Sequence, residues 1–75
     1  MENENISFLD RLLFEEEELG KKITALNQAI NKDGFNKIVG DYQFDLLCLQ
    51  HSCMTSYRRV LTMRIQDLKN KKEKL

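Results

Sequence analysis

Gln50, Tyr57, Arg64 and Lys71 recur seven residues apart, so on a helix an amide, a phenol and two cations fall in one row. Groups of these types stack on a base or hold a phosphate. A guanidinium forks onto phosphate oxygens, an aromatic face takes a base, and an amide fixes an edge. Met54, Arg58 and Arg59 lie in the same stretch. Each residue also has a structural reading: Tyr57 as a core-edge aromatic with its hydroxyl in water, Arg58 and Arg59 as a solvated face, Met54 as core filling. Arg64 and Gln50, on the border of an apolar stripe, are the least easily assigned to packing alone.

Catalysis has no comparable set. There is one histidine, and no Gly-x-Ser-x-Gly, Walker loop, His-Glu-x-x-His or dinucleotide fingerprint occurs, so the chain reads as a binding protein and not an enzyme. Cys48, His51 and Cys53 form a Cys-x2-His-x-Cys cluster. On a helix the two cysteines stand about 140° apart, and only Cys48 and His51 share a face. Neither an intrahelical disulfide nor a four-ligand zinc site follows. The expectation is two reduced, half-buried thiols and a surface imidazole in a cytoplasmic protein, with no metal and no cofactor. A thiol nucleophile on a bare helical face would lack both an oxyanion hole and a cleft.

The element that positions the row is a long amphipathic helix centred on Leu46 to Ile65. Leu47, Met54, Leu61, Leu68 and Leu75 recur every seven residues with Leu46, Cys53 and Val60 beside them, which gathers them on one stripe. A preceding helix carries Leu12, Leu19, Ile23, Leu26 and Ile30, widened by Leu9 and Leu13, with Glu16 in the one vacant core position. Ser7 and Asp10 are placed as a capping-box variant, so this helix is expected to start at Phe8 behind a flexible lead-in over residues 1–6. The run Glu15 to Glu18 reads as a solvated face supported by Lys21 and Lys22, and Gly20 as a point where a neighbouring backbone comes close.

Asp33-Gly34-Phe35 marks the stop, with Gly34 left-handed and Phe35 folding back onto Ile30 in a Schellman motif. Phe35 to Val39 forms a short helical or 3₁₀ turn, Phe35 and Ile38 covering the open end. Gly40 or Asp41 caps the second helix, with Val39 and Phe44 as a staple and Gln43 in the capping-box position. That helix runs to Lys69 or beyond, about 40 Å.

The fold is all-α: an antiparallel two-helix hairpin forming one domain over residues 1–75. Its stripes are wider than one antiparallel neighbour can cover, and a chain of 75 residues has little core of its own. A homo-oligomer is expected. Twelve Lys and Arg balance twelve Asp and Glu, which disfavours long nucleic acid. The apolar runs are too short for a membrane span, and no export signal or added domain is expected before or after the hairpin.

The order Phe8-x2-Arg11-Leu12, Glu18-Leu19-x2-Lys22-Ile23-x2-Leu26, Phe35, then Gln43-x2-Leu46-Leu47-x2-Gln50-x3-Met54-x2-Tyr57-x3-Leu61-x2-Arg64-Ile65 resembles the hairpin domain of phage anti-CBASS and anti-Thoeris sponges. The most distinctive part is in the second helix. The resemblance implies a small helical protein that assembles into oligomers, commonly hexamers, and sequesters cyclic nucleotide immune signals in the host cytoplasm without cleaving them. Cyclic dinucleotides, cyclic trinucleotides and cyclic ADP-ribose derivatives all remain open as ligands. Arg64 and Tyr57 are expected to contact the ligand with Gln50 and Met54 beside them, and Arg11, Lys22, Arg58 and Phe8 are further candidates. The reading from a different class is a helical adaptor or inhibitor that binds a host protein through its apolar stripe.

Overall fold

The computed structural model describes the backbone of residues 2–74 and the side chains of residues 8–71. Three helices follow one another: α1 (Glu2–Ile30), α2 (Phe35–Val39) and α3 (Asp41–Lys74). Among the described residues there is no strand. The long helices form a hairpin-like rod of 54 × 16 × 16 Å, with α2 at the turn.

α1 begins earlier than the Ser7 cue suggests. Residues 2–6 are helical, so the helix does not start at Phe8 and Ser7 sits inside it; the Ser7 side chain lies outside the described residues. No proline or glycine interrupts this stretch, and once a helix is nucleated each further residue adds a bond for little extra ordering.

Gly34 ends the first helical path in the left-handed conformation, φ 78° and ψ 1°, where a side chain would be strained. The six-to-one bond of a Schellman motif is replaced by a tighter one: the Phe35 N–H donates to Lys32 O at 3.1 Å. Phe35 then meets Phe44 of α3 edge-on, ring centroids 6.4 Å apart, and this ring pair closes the turn. Ile38 does not help, being 76% exposed. Gly40, at φ 91°, ends α2 by donating to Asn36 O at 2.8 Å and opens α3 by accepting from Phe44 N–H at 2.9 Å. Its N–H is therefore taken, and Gln43 makes no capping-box bond to it. Val39 and Phe44 are both half-buried, as a staple requires.

The seam between α1 and α3 is a pair of matching apolar rows. Leu9, Leu12, Glu16, Leu19, Ile23, Leu26 and Ile30 step by three and four along α1, and each is buried or half-buried. On α3 the facing row is Phe44, Leu47, His51, Met54, Arg58, Leu61, Ile65 and Leu68, with the same alternation and only Arg58 exposed. Leu12, Leu19, Leu61 and Ile65 form the buried core, with Leu9, Ile23, Met54 and Leu68 packed against it. The seven-residue row from Leu47 to Leu68 is thus in the seam as expected, while Leu75 lies outside the described residues. Its companion is Phe44, His51 and Ile65, and not Leu46, Cys53 and Val60. His51 is accordingly half-buried and not a surface imidazole. Cys48 is half-buried, Cys53 exposed, and both are free thiols.

Candidate ligand-binding face

The carboxylate in the α1 seam row meets the guanidinium in the α3 seam row. Arg58 Nε donates to Glu16 Oε2 at 2.7 Å, across 42 residues of chain. Gly20 makes room for this pair: a Cβ there would lie 2.7 Å from the guanidinium carbon of Arg58. The neighbour that approaches Gly20 is therefore a side chain and not a backbone. Glu16 leaves the solvated acidic run for the seam, its side chain 24% exposed. An ion pair in a largely apolar seam fixes register, since sliding either helix by a turn leaves both charges unpaired. The groove beside it holds about 460 Å³ and is bordered by Glu17, Lys21 and Thr24, and its main cation is already matched by a carboxylate.

The other flank differs. The Arg64 guanidinium carbon lies 5.9 Å from the centroid of the Phe8 ring, within the range of a cation–π contact. One heptad earlier, Tyr57 borders an open groove of about 430 Å³ with Phe14, Glu15, Glu18, Leu19 and Lys22. Gln50 follows one heptad earlier still, its Nε2 donating weakly to Met54 Sδ at 3.7 Å. Phe8, Glu15 and Lys22 on α1 share the same seven-residue spacing, so a row from each helix runs along this flank. The spacing between successive members is about 10 Å. Three aromatic side chains, a guanidinium, an ammonium and an amide, with the carboxylates of Glu15 and Glu18 among them, thus line one edge of the rod.

The eight candidate residues do not all converge. Phe8, Lys22, Gln50, Tyr57 and Arg64 belong to this flank. Met54 is half-buried against the core and serves the flank through its sulfur alone. Arg11 is exposed on α1, one turn along from Phe8. Arg58 turns into the Glu16 groove. Phe14, 64% exposed, was not among the candidates. The signal for it was a phenylalanine standing off the apolar stripe.

Neighbouring charges sharpen the contrast. Asp67, the nearby acid able to neutralise Arg64, instead pairs with Lys71 at 3.1 Å. Lys21 binds Glu18 at 3.1 Å. That hydrogen bond, then the charges of Glu18 and Glu17, raise the Lys21 ammonium above the ordinary lysine range. Lys22 has no ion-pair partner among the described residues, and no described group of His, Cys, Asp and Glu is arranged to hold a metal. Among the described residues no helix is long and apolar enough to cross a membrane.

A family model described as Sequestin matches residues 6–67. No curated protein and no solved structure matches the chain significantly. The matched span contains the seam from Leu9 to Ile65, all of it but Leu68, and every residue of the flank.

Proposed function

The chain belongs to the Sequestin family, and from that premise we propose that it is a phage sponge that binds cyclic nucleotide immune signals and withholds them, uncleaved, from host defence effectors. The observation that carries this reading is the flank itself. Arg64 over Phe8 and Tyr57 beside Lys22 combine aromatic faces with cations, which suits a ligand of stacked bases joined by phosphates. The family name denotes sequestration, and the resemblance of the second-helix pattern to anti-CBASS and anti-Thoeris sponges supplies the ligand class: cyclic di- and trinucleotides and cyclic ADP-ribose derivatives. The protein acts in the host cytoplasm as a homo-oligomer, with six copies the number that the resemblance implies.

A ligand that binds only the folded protein raises its melting temperature by mass action, by about 2.7 kcal/mol of stability at a hundredfold excess over Kd. Thermal shifts against a panel of these cyclic nucleotides test the proposal, followed by heat release and chromatography of the ligand. The expected result is a shift for at least one member and its recovery intact. No shift with any member sinks the sponge reading and favours the adaptor, for which the exposed apolar side chains of α3 are the supporting feature. A hydrolysed product in excess over protein shows an enzyme.

A further inference from the structure

α3 is apolar on two opposite faces, and α1 covers only one. Tyr42, Leu46, Leu49, Cys53, Val60 and Met63 step by four and three along the outer face, broken only at Ser56. All are exposed, with Tyr42 at 74%, Leu49 at 61%, Val60 at 52% and Met63 at 60%. This row lies about 150° around the helix from the hairpin seam and extends about 31 Å. Scattered exposed apolar residues need no explanation, but a four-three alternation sustained over six of seven positions is the pattern that knobs-into-holes packing against another helix requires.

The charges beside the row say which helix, and in which direction. Asp45 and Arg59 occupy the flanking row on one side, while Gln50, Tyr57 and Arg64 occupy the other. In a parallel self-pair, opposite flanks meet five residues out of step. Arg59 of each copy would then face Arg64 of the other, two like-charge contacts. In an antiparallel pair each flank meets itself reversed, so Asp45 faces Arg59 of the second copy, twice, about an axis near Ser52. We infer that the outer face of α3 is an antiparallel self-pairing seam, along which a second copy of this chain docks with Asp45 opposite Arg59.

A consequence follows for the ligand face. The row of Gln50, Tyr57 and Arg64 borders both the hairpin seam and this second seam, so the dyad brings the rows of the two copies edge to edge. Each face is then completed by the other copy. This consequence rests on the ligand face proposed above, whereas the pairing stands without it.

The test combines charge exchange with cross-linking, read on the intact chain. Light scattering should return at least two copies for the parent, and a mass of 8.9 kDa overturns the inference. Asp45→Arg should weaken self-association roughly tenfold, the scale of two rim ion pairs turned repulsive, and Asp45→Arg with Arg59→Asp should restore it. A double variant that associates no better than Asp45→Arg overturns the antiparallel direction. With Cys48 and Cys53 replaced by serine, Asp45→Cys together with Arg59→Cys should form a disulfide-linked pair under mild oxidation, and neither single variant should. Positions 45 and 59 of one copy lie about 21 Å apart on the helix, so any link must join two chains. Absence of that link, with helical content by circular dichroism unchanged, also overturns the pairing. Failure of the ligand panel would leave all these readouts in place, which keeps the two proposals separable.

Discussion

Arg58 and Arg64 leave α3 six residues apart, yet the hairpin treats them in opposite ways. Arg58 bends over Gly20 into the carboxylate of Glu16, and its charge is matched within the chain. Arg64 lies over the face of Phe8, and among the described residues no carboxylate pairs with it. A ring under a guanidinium leaves the in-plane N–H donors open, the geometry that accepts a phosphate fork. One arginine thus sets the register of the fold, and the other keeps its hydrogen-bonding capacity for something outside it.

The largest expected effect removes the open arginine. Arg64→Ala should weaken binding of the best cyclic nucleotide by about 1.5–3 kcal/mol, the scale of a charged hydrogen bond, with self-association unchanged. Isothermal titration beside light scattering reads both. Arg58→Ala should do the reverse, leaving affinity in place while lowering stability by about 1 kcal/mol, because Glu16 stays half-buried without its partner and the pair is partly screened by solvent. Urea denaturation measures that loss. Should Arg58→Ala cost as much affinity as Arg64→Ala, the two arginines share one site and the contrast fails.

Much of this contrast could be read before any coordinates. The seven-residue spacing of Gln50, Tyr57 and Arg64 placed them in one row, and Asp33-Gly34-Phe35 located the turn, since both depend on local geometry alone. What the sequence left undetermined was which neighbour of the row Leu47 to Leu68 enters the seam. Leu46, Cys53 and Val60 are more apolar than Phe44, His51 and Ile65 taken together, so hydrophobicity alone points to the wrong set. The choice turns on Glu16 meeting Arg58, a contact between residues 42 apart that no local pattern encodes. The start of α1 differs from the Ser7 cue for a related reason: a cap at Ser7 competes with simple propagation, and no proline or glycine before it breaks the helix.

Gly20 offers a finer probe of the closed arginine. Glycine in a helix interior costs about 1 kcal/mol relative to alanine, but a methyl group here would sit 2.7 Å from the Arg58 guanidinium and push it off Glu16. The two effects should nearly cancel, so Gly20→Ala alone should change stability little. In an Arg58→Ala background the clash is gone, and Gly20→Ala should stabilise the hairpin by about 1 kcal/mol. Equal effects in both backgrounds, by urea denaturation, would mean that Gly20 is not kept open for the guanidinium.

The smallest expected effect concerns the ring beneath the open arginine. Phe8→Leu keeps an apolar side chain of similar bulk at a site 46% exposed, but removes the quadrupole that attracts the cation. At a surface such a contact contributes about 0.5–1 kcal/mol. If Phe8 holds Arg64 in place for a phosphate, that amount should appear as lost affinity, because the ligand must then order a guanidinium that the ring had ordered already. If Phe8 instead stacks on the ligand directly, the loss should persist when Arg64 is absent. The cycle of Phe8→Leu, Arg64→Ala and the double variant separates these outcomes. Titration calorimetry should find that Phe8→Leu has no further effect once Arg64 is alanine, so the ring acts through the arginine; two losses that simply add would assign Phe8 its own contact with the ligand.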